Sequence, residues 1–148
     1  MDLHFKQITQ AELTVAFDLF KEHMKPVIEK AFGWDDSYQE DSFKNRLKPR
    51  WFHWVYSEQS PVGLVCYKTT SESVHIHLLI VFDDMQRQGI GQKISRALQS
   101  TAHQQGLPLT LSCFKNNQPA YSLYKMLGFT VNAEDQHFYS MISRASCC

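Results

Sequence analysis

Residues 86–91 read Q-R-Q-G-I-G and lie between an apolar run at 74–82 and an amphipathic segment that begins at Ile90. Glycine at positions 89 and 91 leaves no side chain between the backbone N–H groups and an approaching anion. The first turn of the helix that follows adds unpaired N–H groups and a partial positive charge. The stretch therefore predicts a strand, a turn and a helix whose N-terminus binds a phosphate. The residues of this predicted site are Gln86, Arg87, Gln88, Gly89, Ile90 and Gly91.

Two well-known phosphate motifs do not fit this stretch. The dinucleotide fingerprint needs a third glycine where Ile94 stands. The triphosphatase pattern G-x-x-x-x-G-K-[S/T] does not occur in the chain. A plain strand-to-helix turn without a ligand is the remaining alternative for the two glycines taken alone.

A second segment, N-Q-P-A-Y-S-L-Y-K-M-L-G-F, starts at Asn117. Asn117, Ala120, Tyr124 and Leu127 are spaced i, i+3, i+7 and i+10, which is one stripe of a helix. Asn116 or Asn117 is suited to cap that helix with its side chain. The segment therefore predicts a helix that presents an amide and a phenol on one face, although Tyr124 alone is more typical of packing than of catalysis.

The two segments together resemble the GNAT superfamily of acyl-CoA-dependent N-acetyltransferases. The first motif of that family, Q/R-x-x-G-x-G/A, is matched by Gln86, Gly89 and Gly91. Its second motif often reads N-x-x-A-x-x-L-Y-x-x-x-G-F. The matching residues here are Asn117, Ala120, Leu123, Tyr124, Gly128 and Phe129. The resemblance is close over residues 74–141 and looser elsewhere.

The pattern along the chain predicts the element order β-α-α-β-β-β-α-β-α-β-β. Thr9 and Glu12 have capping-box spacing, and the helix after them is expected to end before Pro26. The apolar run at 74–82 predicts a central strand covered on both faces. We expect one α/β (α+β) domain, residues 1–148, with six to seven mixed, mostly antiparallel strands and about four helices. The resemblance adds that the strands at 74–82 and 107–113 splay apart, with acetyl-CoA between them.

The composition of the chain argues against several classes of function. The chain has 148 residues, 43% hydrophobic and 20% charged, with a formal net charge of zero. A neutral surface gives no general attraction to nucleic acid or to an anionic membrane. Neither a secretory signal nor a membrane-spanning apolar stretch is visible in the sequence, so a cytoplasmic protein is expected.

The four cysteines do not suggest a disulfide framework or a zinc site. Cys66 and Cys113 lie in apolar, strand-like runs, which favours buried thiols. Cys147 and Cys148 are adjacent at the C-terminal end of the sequence. A nucleophilic Cys113 is a minor alternative.

The GNAT resemblance implies a set of roles in the transfer of an acetyl group from acetyl-CoA. Backbone N–H near Ile80 or Val81 would stabilise the oxyanion that forms when an amine attacks the thioester. Asn117 and Ala120 would contact the coenzyme. Tyr124 would also contact it and would protonate the leaving thiolate as general acid.

His75 and His77 are the candidates for removing the proton from the amine. Their spacing of two places them on the same face of a strand, and histidine accepts protons near neutral pH. The H-x-H pattern resembles arylalkylamine acetyltransferases, in which a histidine pair carries the proton away through water. The alternative is a pair of strand histidines with local hydrogen bonds only. A metal is not expected, since no third ligand stands at motif spacing.

The acceptor amine is less clearly indicated. A Phe32-Gly33-Trp34-Asp35 element resembles the F/W-G-W-D element of a GNAT subgroup. Trp34 could offer a π face to a cationic amine, and Asp35 could pair with its charge. The alternatives, weighed at least equally, are a core anchor for Trp34 and a helix cap for Asp35.

The favoured function is therefore acetylation of a primary amine of a small molecule or peptide, by direct attack in a ternary complex. Acetylation of an antibiotic or a polyamine is one alternative, and a non-catalytic acyl-CoA sensor is another. We expect a monomer or homodimer that binds neither nucleic acid nor membrane.

Overall fold

The computed structural model describes residues 2–86 and 88–145. The elements follow in chain order as β1 (Leu3–Gln7), α1 (Leu13–Phe32), α2 (Asp36–Arg46), β2 (Phe52–Ser57), β3 (Ser60–Thr69), β4 (Val74–Val81), α3 (Ile90–Gln104), β5 (Leu109–Phe114), α4 (Gln118–Met126), β6 (Thr130–Glu134) and β7 (Phe138–Ser143). This is the order that the sequence predicts. Arg87, Cys147 and Cys148 lie outside the described residues.

The strands form one seven-stranded sheet in the order β1-β2-β3-β4-β5-β7-β6. The pairs β1/β2, β2/β3, β5/β7 and β6/β7 are antiparallel, whereas β4 and β5 are parallel. The predicted α/β class, with a mixed and mostly antiparallel sheet and four helices, is confirmed. The β4/β5 ladder contains three residue pairs, from Val74 opposite Leu109 to Ile76 opposite Leu111. Most of β4 therefore continues beyond the ladder.

The chain divides into two compact units, of which the first comprises Met1–Cys66 and Leu78–Met85. The entry to α1 is the predicted capping box: the Thr9 N–H donates to Glu12 Oε1 (2.9 Å), and the Glu12 N–H donates to Thr9 Oγ1 (3.3 Å). The other oxygen of the Glu12 carboxylate accepts from Trp54 Nε1 at 3.1 Å. The cap therefore also fixes α1 against β2.

Helix α2 is held by a single buried side chain, Phe43. Its ring lies 5.4 Å from that of Phe17, 5.0 Å from that of Phe20 and 5.3 Å from that of Phe52. Buried aromatic pairs at these distances add to the free energy gained by burial. The buried residues packed in this core are Ile8, Leu13, Ala16, Phe17, Phe43, Phe52, Leu64, Cys66, Leu78 and Ile80.

The expectation that the first helix ends before Pro26 is wrong, because α1 continues through Pro26 to Phe32. Proline removes one helical hydrogen bond and usually costs about 3 kcal/mol in a helix interior. Pro26 is exposed, so the carbonyl left without its helical partner, that of Glu22, can bind water. Burial of Phe17 before the proline and of Ile28 after it favours one continuous helix.

The second unit comprises Tyr67–His77 and Gln86–Cys148. Helices α3 and α4 both contact β5. The side chain of Gln99 on α3 donates to the Leu127 carbonyl at 3.0 Å and to Ser143 Oγ at 2.9 Å. It therefore links α3 to the end of α4 and to β7. The buried face of α3 consists of Ile90, Ile94, Ser95, Leu98 and Ala102.

Strand β4 is fully buried on only one face. Val74, Ile76, Leu78 and Ile80 are buried, while the residues between them are partly or fully exposed. The continuous apolar run predicted coverage of both faces, and this expectation is wrong. Leu79 and Val81 are apolar but only half-buried, so hydropathy alone did not distinguish the two faces.

We expect Phe43→Ala to lower the free energy of unfolding by about 3–5 kcal/mol, since it empties the only buried position of α2. Chemical denaturation followed by circular dichroism measures this loss. Tyr38→Ala on the same helix is the control, because Tyr38 is 53% exposed, and its effect should stay within about 0.5 kcal/mol. Equal effects of the two substitutions would show that Phe43 does not anchor α2.

Candidate active site

The predicted phosphate-binding turn leads into α3 through Gly89. Gly89 is the N-cap residue in a left-handed conformation, with φ 75° and ψ 16°, and no side chain caps the helix there. Its carbonyl accepts the Lys93 N–H at 3.0 Å, which is the first helical hydrogen bond of α3. Side chains of Asp35 and Asn117, in contrast, cap α2 and α4. The first N–H groups of α3 thus have no side-chain acceptor at the cap.

The backbone at Gly89 is not crowded by the described residues. A Cβ built on Gly89 would meet no atom within 4 Å. Gln86 and Gln88 are exposed, whereas the Ile90 side chain is buried in the apolar face of α3. Ile90 could therefore contact a ligand only through its backbone. The uncapped N–H groups and the positive end of the helix dipole suit an anion.

Asn117 starts α4, as the sequence predicts. Its Oδ1 accepts from the Ala120 N–H at 3.4 Å, and Pro119 occupies the first turn. The capping contact orients the side chain and leaves the Nδ2 amide hydrogens to donate elsewhere. The structure thus supports an amide donor at the start of α4.

Tyr124 is the only residue of α4 that is buried. Its ring packs edge-on against Phe129 with centroids 5.3 Å apart. Burial raises the pKa of the Tyr124 phenol well above its usual range, and Cys113 contributes a smaller part of the rise. The phenol therefore keeps its proton at neutral pH. A packing tyrosine would show the same burial and ring contact.

The thiols inside the fold are not nucleophiles. Burial raises the pKa of Cys113 to about 11 and that of Cys66 to about 12. The thiolate is the reactive form of cysteine, and a thiol with so high a pKa forms little of it. Both residues behave as small buried side chains, in agreement with the sequence analysis.

His75 and His77 lie together on β4, with ring centroids 4.8 Å apart in an edge-on arrangement. His75 Nδ1 is 2.8 Å from Thr110 Oγ1, and that hydroxyl donates to the Val74 carbonyl at 3.5 Å. A hydroxyl both donates and accepts, so the contact is satisfied with the ring proton on either nitrogen of His75.

Both imidazoles are neutral near pH 7. Burial lowers the pKa of His75. Partial removal of the ring from water, followed by the neighbouring His75 and Lys68, lowers the pKa of His77 to about 4, although His77 is the most exposed residue of β4. A neutral pair can take up a proton, but so weak a base as His77 does not hold one at neutral pH. This suits a relay that passes a proton onward rather than a base that stores it.

Contacts within the protein explain the positions of the Trp34 and Asp35 side chains without a bound acceptor amine. The Trp34 ring lies 6.1 Å from that of Phe20, with Lys25 Nζ 5.9 Å from its centroid, and Trp34 Nε1 donates to Asp36 Oδ1 at 3.1 Å. Asp35 Oδ1 accepts from the Tyr38 N–H at 3.0 Å and caps α2. Packing and capping, the two alternatives from the sequence analysis, are thus both observed.

Ile80 and Val81 end β4 in the first unit. The Ile80 side chain belongs to the core of that unit, whereas the Val81 side chain is half-buried. Any contribution of these two residues to catalysis would come from the backbone, which is independent of side-chain identity. Their role in stabilising an oxyanion stays a prediction.

The sequence analysis did not anticipate a cluster in the second unit around Lys115. Lys115 Nζ donates to Glu134 Oε1 at 2.7 Å and lies 5.1 Å from the centroid of the Tyr139 ring. The Tyr139 ring in turn lies 4.9 Å from that of Tyr121, tilted by 38°. Glu134 and Tyr139 are opposed across the β6/β7 hairpin. The pairing of Glu134 with Tyr139 could have indicated this cluster, but it is known only once the register of the β6/β7 hairpin is known.

Within residues 2–86 and 88–145, no three His, Cys, Asp or Glu side chains are grouped so as to hold a metal ion. No helix in the same part combines the length and the apolar character that crossing a bilayer requires.

A sequence model of the acetyltransferase (GNAT) family matches residues 15–129, well over half of the chain. This chain belongs to that family. It is accordingly an acyltransferase of the GNAT N-acetyltransferase type. No curated protein matches the chain in sequence.

Solved structures show the same GNAT fold. The PaiA N-acetyltransferase of Thermoplasma acidophilum, in complex with coenzyme A, is 14% identical with a TM-score of 0.73, over 98% of this chain and all of that one. The ribosomal-protein-S18-alanine N-acetyltransferase of Escherichia coli is 17% identical with a TM-score of 0.68, over 99% and 96%. Arabidopsis thaliana Naa50, in complex with the bisubstrate analogue CoA-Ac-MVNAL, is 19% identical with a TM-score of 0.64, over 98% and 100%.

The lowered pKa of His77 gives a direct prediction. Its imidazole should titrate with a midpoint near pH 4 rather than at the ordinary 6.5, measured by ¹H–¹⁵N NMR of the ring nitrogens. Because the folded state binds this proton less readily than the unfolded chain, the stability linked to His77 is present above pH 6.5. It is lost as the pH falls towards 4.

His77→Gln should therefore flatten the dependence of unfolding free energy on pH between about 6.5 and 4. A His77 midpoint near 6.5 would contradict the burial argument.

Proposed function

We propose that this GNAT protein transfers an acetyl group from acetyl-CoA to a primary amine of a small molecule or peptide, by direct attack in a ternary complex. The observation that carries the proposal is the glycine-capped N-terminus of α3, which offers backbone N–H groups to an anion. The PaiA structure with coenzyme A and the Naa50 structure with a CoA-linked peptide analogue support it by likeness of fold. The same likeness supports a peptide as one possible class of acceptor.

The chain offers two kinds of contact to the coenzyme. The N–H groups of Ile90 and Gly91 would bind its pyrophosphate, with Gln86 and Gln88 beside them. Asn117 would donate its free amide hydrogens to the pantetheine arm, while its Oδ1 caps α4. Acetyl-CoA, when bound, supplies an acyl thioester that is activated towards amines.

The small Ala120 follows one turn after Asn117 on the same face of α4. Its methyl group would let the pantetheine arm approach the helix closely. Assignment to the GNAT subgroup with the F/W-G-W-D element is a further part of the proposal.

Tyr124 is proposed to hold the proton that the departing thiolate takes. Its burial keeps the phenol protonated at every pH at which the enzyme would work. A general acid must carry its proton before the bond breaks, and the high pKa ensures this. Tyr124 therefore carries its proton when the thioester breaks, although the raised pKa also makes the phenol a weaker donor than an exposed tyrosine.

His75 and His77 are proposed to pass the proton of the attacking amine towards water. Both are neutral, and the Thr110 hydroxyl holds the His75 ring through Nδ1. His77 is the more exposed of the two, which suits the outer position of the relay. The pair would act on the proton only and would not contact the acyl group.

The direct test of this function is a turnover screen with acetyl-CoA. Free-thiol release is measured across simple amines, peptides with free N-termini, polyamines and aminoglycosides. Turnover with one of these classes of amine identifies the chemical class of the acceptor. Tight binding of coenzyme A with no turnover on any class would instead support a non-catalytic acyl-CoA sensor.

Gly89→Ala tests the phosphate site. The added methyl group would project into the open space where the anion is proposed to bind, so the dissociation constant for coenzyme A should rise by about tenfold, or roughly 1.4 kcal/mol. Gly106→Ala is the matched control, because Gly106 follows the other end of α3 with φ 73° and equally open space. Both substitutions carry the same backbone strain, about 1–2 kcal/mol of stability.

Isothermal titration calorimetry with coenzyme A gives the two dissociation constants. Only Gly89→Ala should weaken binding. Equal binding by the two variants would place the diphosphate elsewhere and remove the principal support for the proposal.

Tyr124→Phe tests the acid role. Removing the hydroxyl should lower kcat by about 10²-fold, the usual range for loss of a general acid, while coenzyme A binding changes little. The ring contact with Phe129 is retained in this variant, so folding is preserved. An unchanged kcat with the best acceptor would assign Tyr124 to packing alone.

A further inference from the structure

The side chain of Arg96 on α3 is held towards the N-terminus of its helix by Gln92, one turn earlier. The Gln92 amide is oriented with its oxygen towards the guanidinium group, because only this orientation gives both of its polar atoms complementary neighbours. The amide oxygen accepts from Arg96 Nη2 at 2.9 Å and from Arg96 Nε at 3.2 Å. This contact therefore fixes where the positive charge of Arg96 lies.

Gln92 and Arg96 lie on the same side of α3 as the glycine turn. Gly89, Gln92 and Arg96 are spaced i, i+3 and i+7, which is one stripe of a helix. This stripe is half-buried at Gln92 and exposed at Arg96, so it lies away from the buried face of α3. Gln92 is three residues after the N-cap, or about 4.5 Å along the helix axis. The guanidinium group, which is bonded to Gln92, therefore lies near the proposed phosphate site.

Most of the hydrogen-bond donors of Arg96 are left for another acceptor. An arginine side chain has five N–H hydrogens in a planar fork, and Gln92 accepts from two of its nitrogens. Among the described residues, no acceptor other than Gln92 contacts the Arg96 guanidinium, and no carboxylate pairs with it. The edge formed by Nη1 and Nη2 remains, and this edge matches two oxygens of one phosphate group.

The charges on α3 run against the usual pattern of a helix. Helix α2 has Asp36 in its first turn and Lys44 and Arg46 in its last turn, as the helix dipole favours. Helix α3 contains no Asp or Glu, and Lys93 and Arg96 add positive charge to the half that starts at the positive end of the dipole. Two cations three residues apart also repel each other. An anion bound beside Arg96 would offset both effects.

Coenzyme A has such an anion one sugar ring away from its pyrophosphate. Its ribose carries the pyrophosphate on the 5′ oxygen and a phosphate monoester on the 3′ oxygen. With the pyrophosphate on the N–H groups of Ile90 and Gly91, the monoester would be within reach of the side of α3 that carries Arg96. A phosphate monoester has a charge of about −1.5 to −2 at pH 7, and arginine binds two of its oxygens at once.

We propose that Arg96, held by Gln92, binds the 3′-phosphate of coenzyme A and so makes the enzyme selective for coenzyme A over its 3′-dephospho form. This inference rests on the proposed function and deepens it, since it names the part of the coenzyme that the side of α3 distinguishes. Gln92 acts only through Arg96 and is a positioning residue. Neither side chain contacts the acyl group, so the effect falls on coenzyme affinity and on KM rather than on kcat.

The test measures the dissociation constants of coenzyme A and 3′-dephospho-coenzyme A by isothermal titration calorimetry on full-length protein. Arg96→Met removes the guanidinium group and keeps an unbranched apolar stem, whereas Arg96→Lys keeps the charge without the fork. Arg144→Met is the matched control, because Arg144 is another exposed arginine of the second unit. It follows Ser143, whose carbonyl lies 3.2 Å from Nε2 of His103 in the last turn of α3, at the far end of the helix.

The parent should bind coenzyme A about tenfold more tightly than the dephospho form, as one hydrogen-bonded charge pair provides. In Arg96→Met this ratio should fall to about one, because the dephospho form has no group for Arg96 to bind. Arg96→Lys should keep a smaller ratio of about threefold, since a lysine lacks the bidentate geometry. Arg144→Met should keep the ratio of the parent. Gly89→Ala should weaken both ligands and also keep the ratio, because the two ligands share the pyrophosphate.

The outcomes separate this proposal from the proposed function. A preference for coenzyme A that persists in Arg96→Met overturns the role of Arg96 and leaves the proposed function standing. Equal binding of the two ligands by the parent does the same, as does an equal loss of preference in Arg144→Met, which would be an effect of general charge. A parent that binds neither ligand overturns both proposals. Because both ligands are compared on the same variant, any general loss of stability cancels in the ratio.

Discussion

The N-terminus of α3 is the feature on which the functional site depends. A side-chain cap, such as those that begin α2 and α4, would occupy the first N–H groups of the helix. Gly89 instead leaves them without a side-chain acceptor, and its left-handed backbone turns the chain into the helix without placing a Cβ in front of the proposed phosphate site. The buried face of α3, from Ile90 to Ala102, fixes this terminus in place through its contact with β5. These N–H groups belong to the backbone of a helix that is packed against the sheet, so the surface that they form is rigid.

Burial sets the protonation states in the second unit. The Tyr124 phenol keeps its proton, the two histidines of β4 stay neutral and Cys113 stays a thiol, because removal from water disfavours each charged form. The same physical cause thus provides a proton donor in one place and proton acceptors in another.

Local patterns predicted local structure well. The Thr9–Glu12 capping box, the Asn117 cap and the order of all eleven helices and strands could be predicted, because each depends on residues close together in the chain. The expected end of α1 at Pro26 was wrong, since burial on both sides of the proline outweighs its local cost. The two alternatives for Trp34 and Asp35 could not be separated without knowing that Phe20 and the Tyr38 N–H lie beside them.

Residue identity and spacing alone established the fold class, the GNAT family motifs and the glycine turn ahead of α3, since these reside in contiguous segments. Packing of distant segments decided which face of β4 is buried, which imidazoles are neutral and which side chains are used in structural contacts. Lys115 and Glu134, which pair in space, are separated in the chain by a whole helix. Burial and electrostatic interaction depend on distance in space, which only the folded chain defines.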